Sequence, residues 1–426
     1  MIVKDIPLDV PIPEMVRVRQ NLNQPAITDI RKTLHESLER IHFREKIKPG
    51  KRIAITAGSR GIANIVDVIR FTAEEVRAAG GDPFVLSAMG SHGGGTEEGQ
   101  REMLAEYGIT EKSVNAPLIC SIDVIEFGKT EQGITIFFDR IALQSDGIIA
   151  VNRIKPHTDF RAPTESGLLK ILAIGLGRVK GATELHRLGV YGMREVVPSA
   201  GRVILKKAPV ICGIGIVENA KHQVAILEAI DHPDIEQRES ELLLEAWKYY
   251  PRLPFKKFDL LILDEMGKDI SGAGIDPNVI GRMMIQGEEE LPSPRINRIA
   301  VLDLTPGSHG NAVGIGLADV ITKRLFEKIR FKDFHLNMIT ATIIDRSKIP
   351  IVAENDKDAI RLGLRTCWVL DPHKAKVVHM KNTLNVEEFS ISKPLADLDE
   401  VSLTKVGNPY SLSFDKDGSL IHDMKH

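Results

Sequence analysis

Apolar residues recur along this chain in two alternating rhythms. Ile30, Leu34, Leu38 and Ile41 stand three or four positions apart and predict a helix. KRIAITAG at residues 51–58 reads as a short buried strand, residues 65–79 as a helix stopped by Gly80 and Gly81, and PFVLSAMG at 83–90 as the next strand. Residues 96–107 continue as a helix with Glu97 and Glu98 in its first turn, where negative charge is favoured. Strands are expected at 118–127, at 134–141 and over the β-branched run that ends at Val151, and an edge strand at residues 1–10. Strand alternating with helix predicts a mostly parallel sheet.

After an apolar region at 202–217 and an amphipathic helix at about 234–250 comes PRLPFKKFD, two prolines and a charge cluster between regular elements. It marks a domain boundary, giving domains 1–254 and 255–426. The rhythm restarts with the strands FDLLILDEMG and RIAVLDL, a helix at 317–329, another at 356–364 and C-terminal strands. The fold class expected is α/β, two α/β domains with mostly parallel sheets, and a length of 426 residues agrees with two cores rather than one.

A net charge of -2 with no basic block or basic amphipathic helix argues against nucleic-acid and membrane-surface binding and favours a small molecule as the partner. Cys120, Cys212 and Cys367 form no C-x-x-C pair, which points to a reducing compartment. With no leader pattern and no apolar run long enough for a bilayer, the expectation is a cytoplasmic protein; a homo-oligomer stays open.

Chemistry concentrates at strand ends. AGSRG (57–61), MGSHGGGT (89–96), the turn Lys155-Pro156-His157, and the later pair KDISGAGIDPN and TPGSHGN all follow predicted strands, where open α/β proteins bind ligands. Their glycines permit close backbone approach and their N–H groups favour an anion, though none is a nucleotide fingerprint and each taken alone reads more often as a turn. His92, among glycines, suits general acid or base work, or is a surface loop histidine. His157 is a second such candidate, or a capping group. Lys170 interrupts the apolar helical face SGLLKILAIG, where a lysine is costly unless paired or modified, or else snorkels to solvent. His186 and His309 are possible ligands or exposed histidines.

Taken in order, the SHGG loop after a strand, the K-P-H turn, the lysine on the following Gly-rich segment and the histidine beyond it resemble the nickel-pincer-nucleotide-dependent lactate racemase family. The resemblance covers most of the N-terminal half and, more weakly, the later loops. It implies His92 and His157 as alternating acid and base, Lys170 as the covalent anchor of the nickel-pincer nucleotide, His186 as the protein's nickel ligand, and Arg60 holding anionic groups, with Ser91, Gly93 and Gly94 as further cofactor contacts. It also implies an active site in the cleft between a cofactor-binding N-terminal domain and a C-terminal domain closing over the substrate, and partner proteins that build the cofactor. The chemistry implied is proton-coupled hydride transfer through a planar 2-keto acid, which avoids deprotonating a weak carbon acid.

The chain departs from the lactate-specific branch. Ala57 stands where that branch has an acidic residue shortly before the loop arginine, and the stretch TDFRAPTESGLL between His157 and Lys170 is longer. The branch's substrate-holding glutamine and lysine have no clear match; Lys268, Asn278 or Arg282 take their place. The expected activity is therefore racemisation or epimerisation of a 2-hydroxy acid other than lactate, Thr158, Asp159, Arg161, Thr164 and Glu165 suiting a larger or more hydroxylated one. The alternatives are a zinc hydrolase with His92, His157 and His186 as ligands, and a non-catalytic nucleotide- or carboxylate-binding protein.

Overall fold

Along the strand Arg52–Ala57, Ile53, Ile55 and Ala57 enter one buried cluster while Ala54 enters another. Phe84 and Leu86 of the next strand join Ala54, and Val85 joins Ile55. A sheet covered on both faces needs near-continuous apolar strands, and that is what the sequence shows. The computed structural model describes residues 8–398 and 403–421. Its chain divides into two units, Gln24–Tyr250 and Pro251 onward together with the N-terminal segment ending at Asn23.

In chain order the strands are β1 (Met15–Gln20), β2 (Arg52–Ala57), β3 (Asp82–Ser87), β4 (Leu118–Ile119), β5 (Val124–Lys129), β6 (Thr135–Asp139), β7 (Gly147–Arg153), β8 (Val210–Glu218) and β9 (Val224–Asp231). The unit Gln24–Tyr250 holds a sheet in the order β4-β3-β2-β7-β8-β9, parallel except for β9. From β2 the chain winds outward through β3 to β4 and then returns to place β7 on the other side of β2. This reversal is a topological switch point, which opens a crevice at the carboxyl ends of the two strands. The β2–β7 ladder runs as far as Ile55 opposite Ile149. Beyond it the Thr56 hydroxyl replaces backbone pairing, accepting from Val151 N–H (2.9 Å) and donating to Val151 O (3.3 Å).

The second unit continues with β10 (Lys257–Leu263), β11 (Arg295–Val301), β12 (Val320–Thr322), β13 (Ile351–Ala353), β14 (Val377–Met380), β15 (Glu388–Ser392) and β16 (Leu403–Tyr410). They form one sheet in the order β13-β12-β11-β10-β14-β15-β1-β16, parallel from β13 to β14 and antiparallel beyond. Both units are thus mixed α/β sheets with mostly parallel strands.

Several expectations change. Of the edge strand at 1–10, residues 1–7 lie outside the described residues, and the strand is Met15–Gln20, which pairs with β15 and β16 and so belongs to the second unit. The run at 118–127 is two strands, because β5 and β6 leave the main sheet as a separate hairpin. The 317–329 stretch opens with β12 and turns helical only at Lys323–Glu327, where the Thr322 side chain caps the first turn. The helix Phe331–Ala341 had no counterpart in the pattern. In the second-half loops the glycines serve loop-to-loop packing: a Cβ on Gly274 would lie 2.0 Å from Val313 O, and one on Gly314 1.8 Å from Ala273 O.

Arg178 is fully buried in a left-handed conformation (φ 55°). Its Nε donates to Asp139 Oδ2 (2.9 Å) and its Nη1 to Ser87 Oγ (2.8 Å) and Gln100 Oε1 (3.3 Å). One guanidinium therefore ties the end of β3, the helix Glu97–Glu106 and the end of β6. Arg178→Ala leaves Asp139 buried without its cation, and the unfolding free energy should fall by about 3–5 kcal/mol in urea denaturation.

Candidate active site

Three loops leave the carboxyl ends of β2, β3 and β7. After β2, Gly58 to Gly61 carries Arg60 near Tyr107, whose hydroxyl donates to Ser59 O (3.3 Å) and whose ring lies 3.7 Å from where a Cβ on Gly61 would stand. Among the described residues Arg60 makes no hydrogen bond or ion pair. Its guanidinium reaches solvent in a crowded position: burial by the surrounding protein is the main cause lowering its pKa, and Arg153 acts the same way. Such a cation is placed to accept an anion.

After β7, Lys155 and Ser166 exchange backbone hydrogen bonds (2.9 and 3.3 Å) and close the loop that contains the K-P-H turn. Glu165 fills its interior, accepting from His157 N–H (2.6 Å) and Ala162 N–H (3.2 Å), while Arg161 Nη1 donates to His157 O (2.6 Å) and lies over the Trp247 ring. Burial raises the Glu165 pKa. Phe160 is fully buried with its ring centroid 4.5 Å from that of His157. Arg161 and Glu165, expected to suit a hydroxylated substrate, are the internal frame of this loop.

The loop ends at Gly167, where the helix bearing Lys170 starts. That start is capped from the far side of the core: Glu239 Oε2 accepts from Leu168 N–H (2.7 Å) and Leu169 N–H (2.9 Å). A Cβ on residue 167 would stand 2.4 Å from Glu239 Oε1, so only glycine lets the carboxylate approach. Glu239 is buried, which raises its pKa to about 7. Asn152 of β7 fixes the same corner by donating to Gly167 O (2.7 Å). Directly after Lys170 the helix widens into a π-turn, Ile171–Gly175, a feature concentrated at functional sites. Gly175 carries it past β3, since a Cβ there would be 2.7 Å from Ala88 O.

These supports bring Lys170 Nζ to 2.7 Å from His157 Nε2. Asp159 N–H donates to the other ring nitrogen, Nδ1, at 3.1 Å. An Nδ1 that accepts is unprotonated, so the neutral ring carries its hydrogen on Nε2, which can donate to the Lys170 amine once that amine has lost its own proton. Burial, opposed by Asp159 and reinforced by Arg60 and Lys155, lowers the Lys170 pKa to about 8. Burial and Lys170 hold that of His157 well below its ordinary value. His186 ends the next helix, Arg178–His186, and its Nδ1 lies 2.6 Å from Ala182 O. A carbonyl only accepts, so Nδ1 bears the hydrogen and Nε2 offers a lone pair, the orientation usual for a metal-binding histidine. Burial and then Lys170 lower its pKa too.

His92 stands on the β3 loop, whose Gly90 N–H donates to Gly175 O (3.1 Å), so this loop packs on the segment joining Lys170 to His186. Ser91 and Gly94 are exposed beside it, and a Cβ on Gly93 would meet Gln100 N at 2.6 Å, so Gly93 serves the turn itself. Lys268, Asn278 and Arg282 lie in the second unit. Lys268 Nζ donates to Asn337 Oδ1 (2.8 Å), and Asn278 is buried in the short helix Pro277–Ile280. Arg282 binds Asp319 (2.9 Å) and the carbonyls of Leu317 and Ile296, which makes it a brace between strands rather than an open cation. Its neighbourhood includes a cavity of about 360 Å³ that also touches Met284, Glu290 and Arg295. That cavity holds none of the strand-end histidines.

Asp159, expected to suit a hydroxylated substrate, raises the pKa of Lys170, His157 and His186 alike, and Glu239, which had no role in the sequence pattern, read as one more polar position on an amphipathic helix. Among the described residues no three His, Cys, Asp or Glu side chains come together to hold a metal ion. His92, His157 and His186 are thus not a three-ligand zinc site. An anchoring amine and one oriented imidazole instead fit a metal whose other ligands belong to an attached organic group.

Residues 5–194 match the family model of the lactate racemase N-terminal domain. No curated protein matches in sequence. The lactate racemase apoprotein from Thermoanaerobacterium thermosaccharolyticum has a similar fold, with a TM-score of 0.54 and 15% identity over 90% of this chain and 96% of that one. A protein from Thermotoga maritima is similar at a TM-score of 0.50 and 14% identity, over 82% of this chain and 92% of that one. No helix among the described residues is long and apolar enough to cross a membrane.

Two measurements check this geometry. Competitive acylation of the full chain, read by peptide mass spectrometry, should give Lys170 a reactivity that rises through about pH 8 while exposed lysines rise near their ordinary value. Glu239 binds its proton more tightly when folded, so its contribution is full below pH 4.5 and is lost as pH rises through about 7. Relative to Glu239→Gln, the wild-type chain should lose roughly 3 kcal/mol of stability between pH 4 and pH 8, measured by denaturant unfolding at each pH.

Proposed function

From the match of residues 5–194 to the lactate racemase N-terminal domain, we propose that this chain is an isomerase, a racemase or epimerase of a 2-hydroxy acid other than lactate, that works with a nickel-pincer nucleotide joined to Lys170. The observation that carries this reading is the Lys170 amine, 2.7 Å from His157 Nε2 and titrating at about 8. A lysine that sheds its proton near neutrality is a nucleophile able to form a covalent anchor. His186, its Nδ1 held by Ala182 O, would offer Nε2 to the nickel. When bound, the group supplies an acceptor for the hydride on the substrate's Cα, chemistry that no side chain provides.

The chain's own residues do the rest. Arg60 binds the substrate carboxylate through its two parallel N–H groups and so fixes which face of Cα is presented. His157 acts through Nε2 and His92 from the neighbouring β3 loop, each taking or returning the hydroxyl proton according to which enantiomer is bound. Burial and the adjacent lysine keep His157 neutral at rest, as a base must be. Two features support a substrate other than lactate: Ala57 where the lactate-specific branch has an acid, and a loop from Lys155 to Ser166 held in shape by Glu165. Lys268 and Asn278 are the second unit's candidates for holding substrate. The proteins that build the cofactor are this chain's proposed partners.

The test is intact and peptide mass spectrometry with metal analysis, on protein produced beside the cofactor-building enzymes and followed by a screen of 2-hydroxy acids. Added mass on the Lys170 peptide, stoichiometric nickel and a racemised substrate are expected. Lys170→Ala and His186→Ala should abolish turnover, and Arg60→Ala should raise KM by at least tenfold. An unmodified Lys170, in an experiment where a known lactate racemase loads correctly, would overturn the assignment.

A further inference from the structure

His157 must offer a lone pair at Nε2 to act as a base, yet the hydrogen-bond pattern holds its hydrogen on that nitrogen. Both facts meet at Nδ1. The backbone N–H of Asp159 donates to Nδ1 at 3.1 Å, and the Asp159 carboxylate oxygen Oδ2 stands 3.7 Å from the same atom. One residue thus presents a donor and an acceptor to one ring nitrogen. Phe160 packs against the ring at 4.5 Å between centroids, and Glu165 holds the backbone beneath it through the His157 N–H.

We propose that Asp159 is a positioning residue that sets which nitrogen of His157 bears the proton: its backbone N–H holds the resting Nε2–H form, and its carboxylate receives Nδ1–H when Nε2 is required as the base. The proposal rests on the racemase reading for its purpose, though not for its geometry. In the resting form Nε2–H points at the Lys170 amine. In the working form the carboxylate draws in by somewhat less than 1 Å to hydrogen-bond distance, Nδ1 becomes a donor, and Nε2 accepts the substrate's hydroxyl proton. The resulting imidazolium has its charge beside the Asp159 carboxylate and returns the proton from Nε2 in the opposite direction. No proton is gained or lost in the exchange between the two neutral forms. A racemase needs both directions, and a histidine locked in one tautomer serves neither well.

The charges acting on the ring include those of Lys170, Asp159, His186 and Lys155, while the Glu165 carboxylate accepts from the backbone N–H of the same residue. Removing the Asp159 charge acts on His157 without removing a ligand of the ring. Asp159 is partly exposed, so its replacement leaves the core intact.

The experiment is nitrogen-15 NMR of the histidines in the full chain without cofactor, where the two tautomers resonate separately. Asp159→Asn should raise the Nε2–H fraction of His157, and Asp159→Glu, which keeps a carboxylate, should restore the wild-type distribution. In the loaded enzyme Asp159→Asn should lower kcat by about 100-fold with KM within twofold. An Nε2–H fraction identical in wild type and Asp159→Asn overturns the proposal. That readout needs neither nickel nor turnover, so failure of the racemase assignment would show separately, as an unmodified Lys170 with the tautomer shift still present.

Discussion

The contact on which this site depends is made far from its chemistry, by one carboxylate meeting two backbone N–H groups. Glu239 reaches from the helix Ile235–Tyr249 to Leu168 and Leu169 and satisfies the exposed start of the segment that carries Lys170. Everything downstream inherits that anchor. Gly167 exists to let the carboxylate in, the π-turn after Lys170 shifts the helix past β3, and Arg178 then locks the same segment to β3 and β6. The cost is a buried acid beside a polar corner, and it is met by the N–H groups it accepts. Precision in where Lys170 sits comes from the scaffold behind it.

Burial loosens the hold of Lys170 and of His157 on their protons, and the charge of the lysine adds to the effect on the histidine. The arrangement favours reactivity over stability, since two ionisable side chains are placed where apolar ones would pack at no electrostatic cost. Asp159 is the counterweight, an anion whose field reaches the lysine and both nearby histidines.

Much of this was legible before the structure. The strand-end loops, the K-P-H turn and a lysine interrupting an apolar helical face are local patterns, and each fell where a parallel sheet puts its carboxyl ends. What escaped was non-local. Glu239 is 69 positions from Lys170 and looks like any polar residue on a helix; only the missing Cβ at Gly167, read with the fold in hand, explains both. Arg178 carries no sign in sequence that it is buried and left-handed. The second-half loops look like ligand cradles because glycine marks close approach, and the pattern cannot say that the thing approached is another loop. Arg282 is open in a one-dimensional reading, and its partner Asp319 lies 37 residues on.

The placement of β1 has a consequence for how the chain is made. Met15 pairs with Ser392 on one side and Tyr410 on the other, so β1 must wait for partners made long after it. The unit Gln24–Tyr250 has all its strands once residue 250 is out and can fold while translation proceeds, as domains generally do. The second sheet cannot close until its distant ends meet, which makes it the late and non-local step. Until then β1 stands without either partner, an unpaired edge open to pairing with the wrong strand.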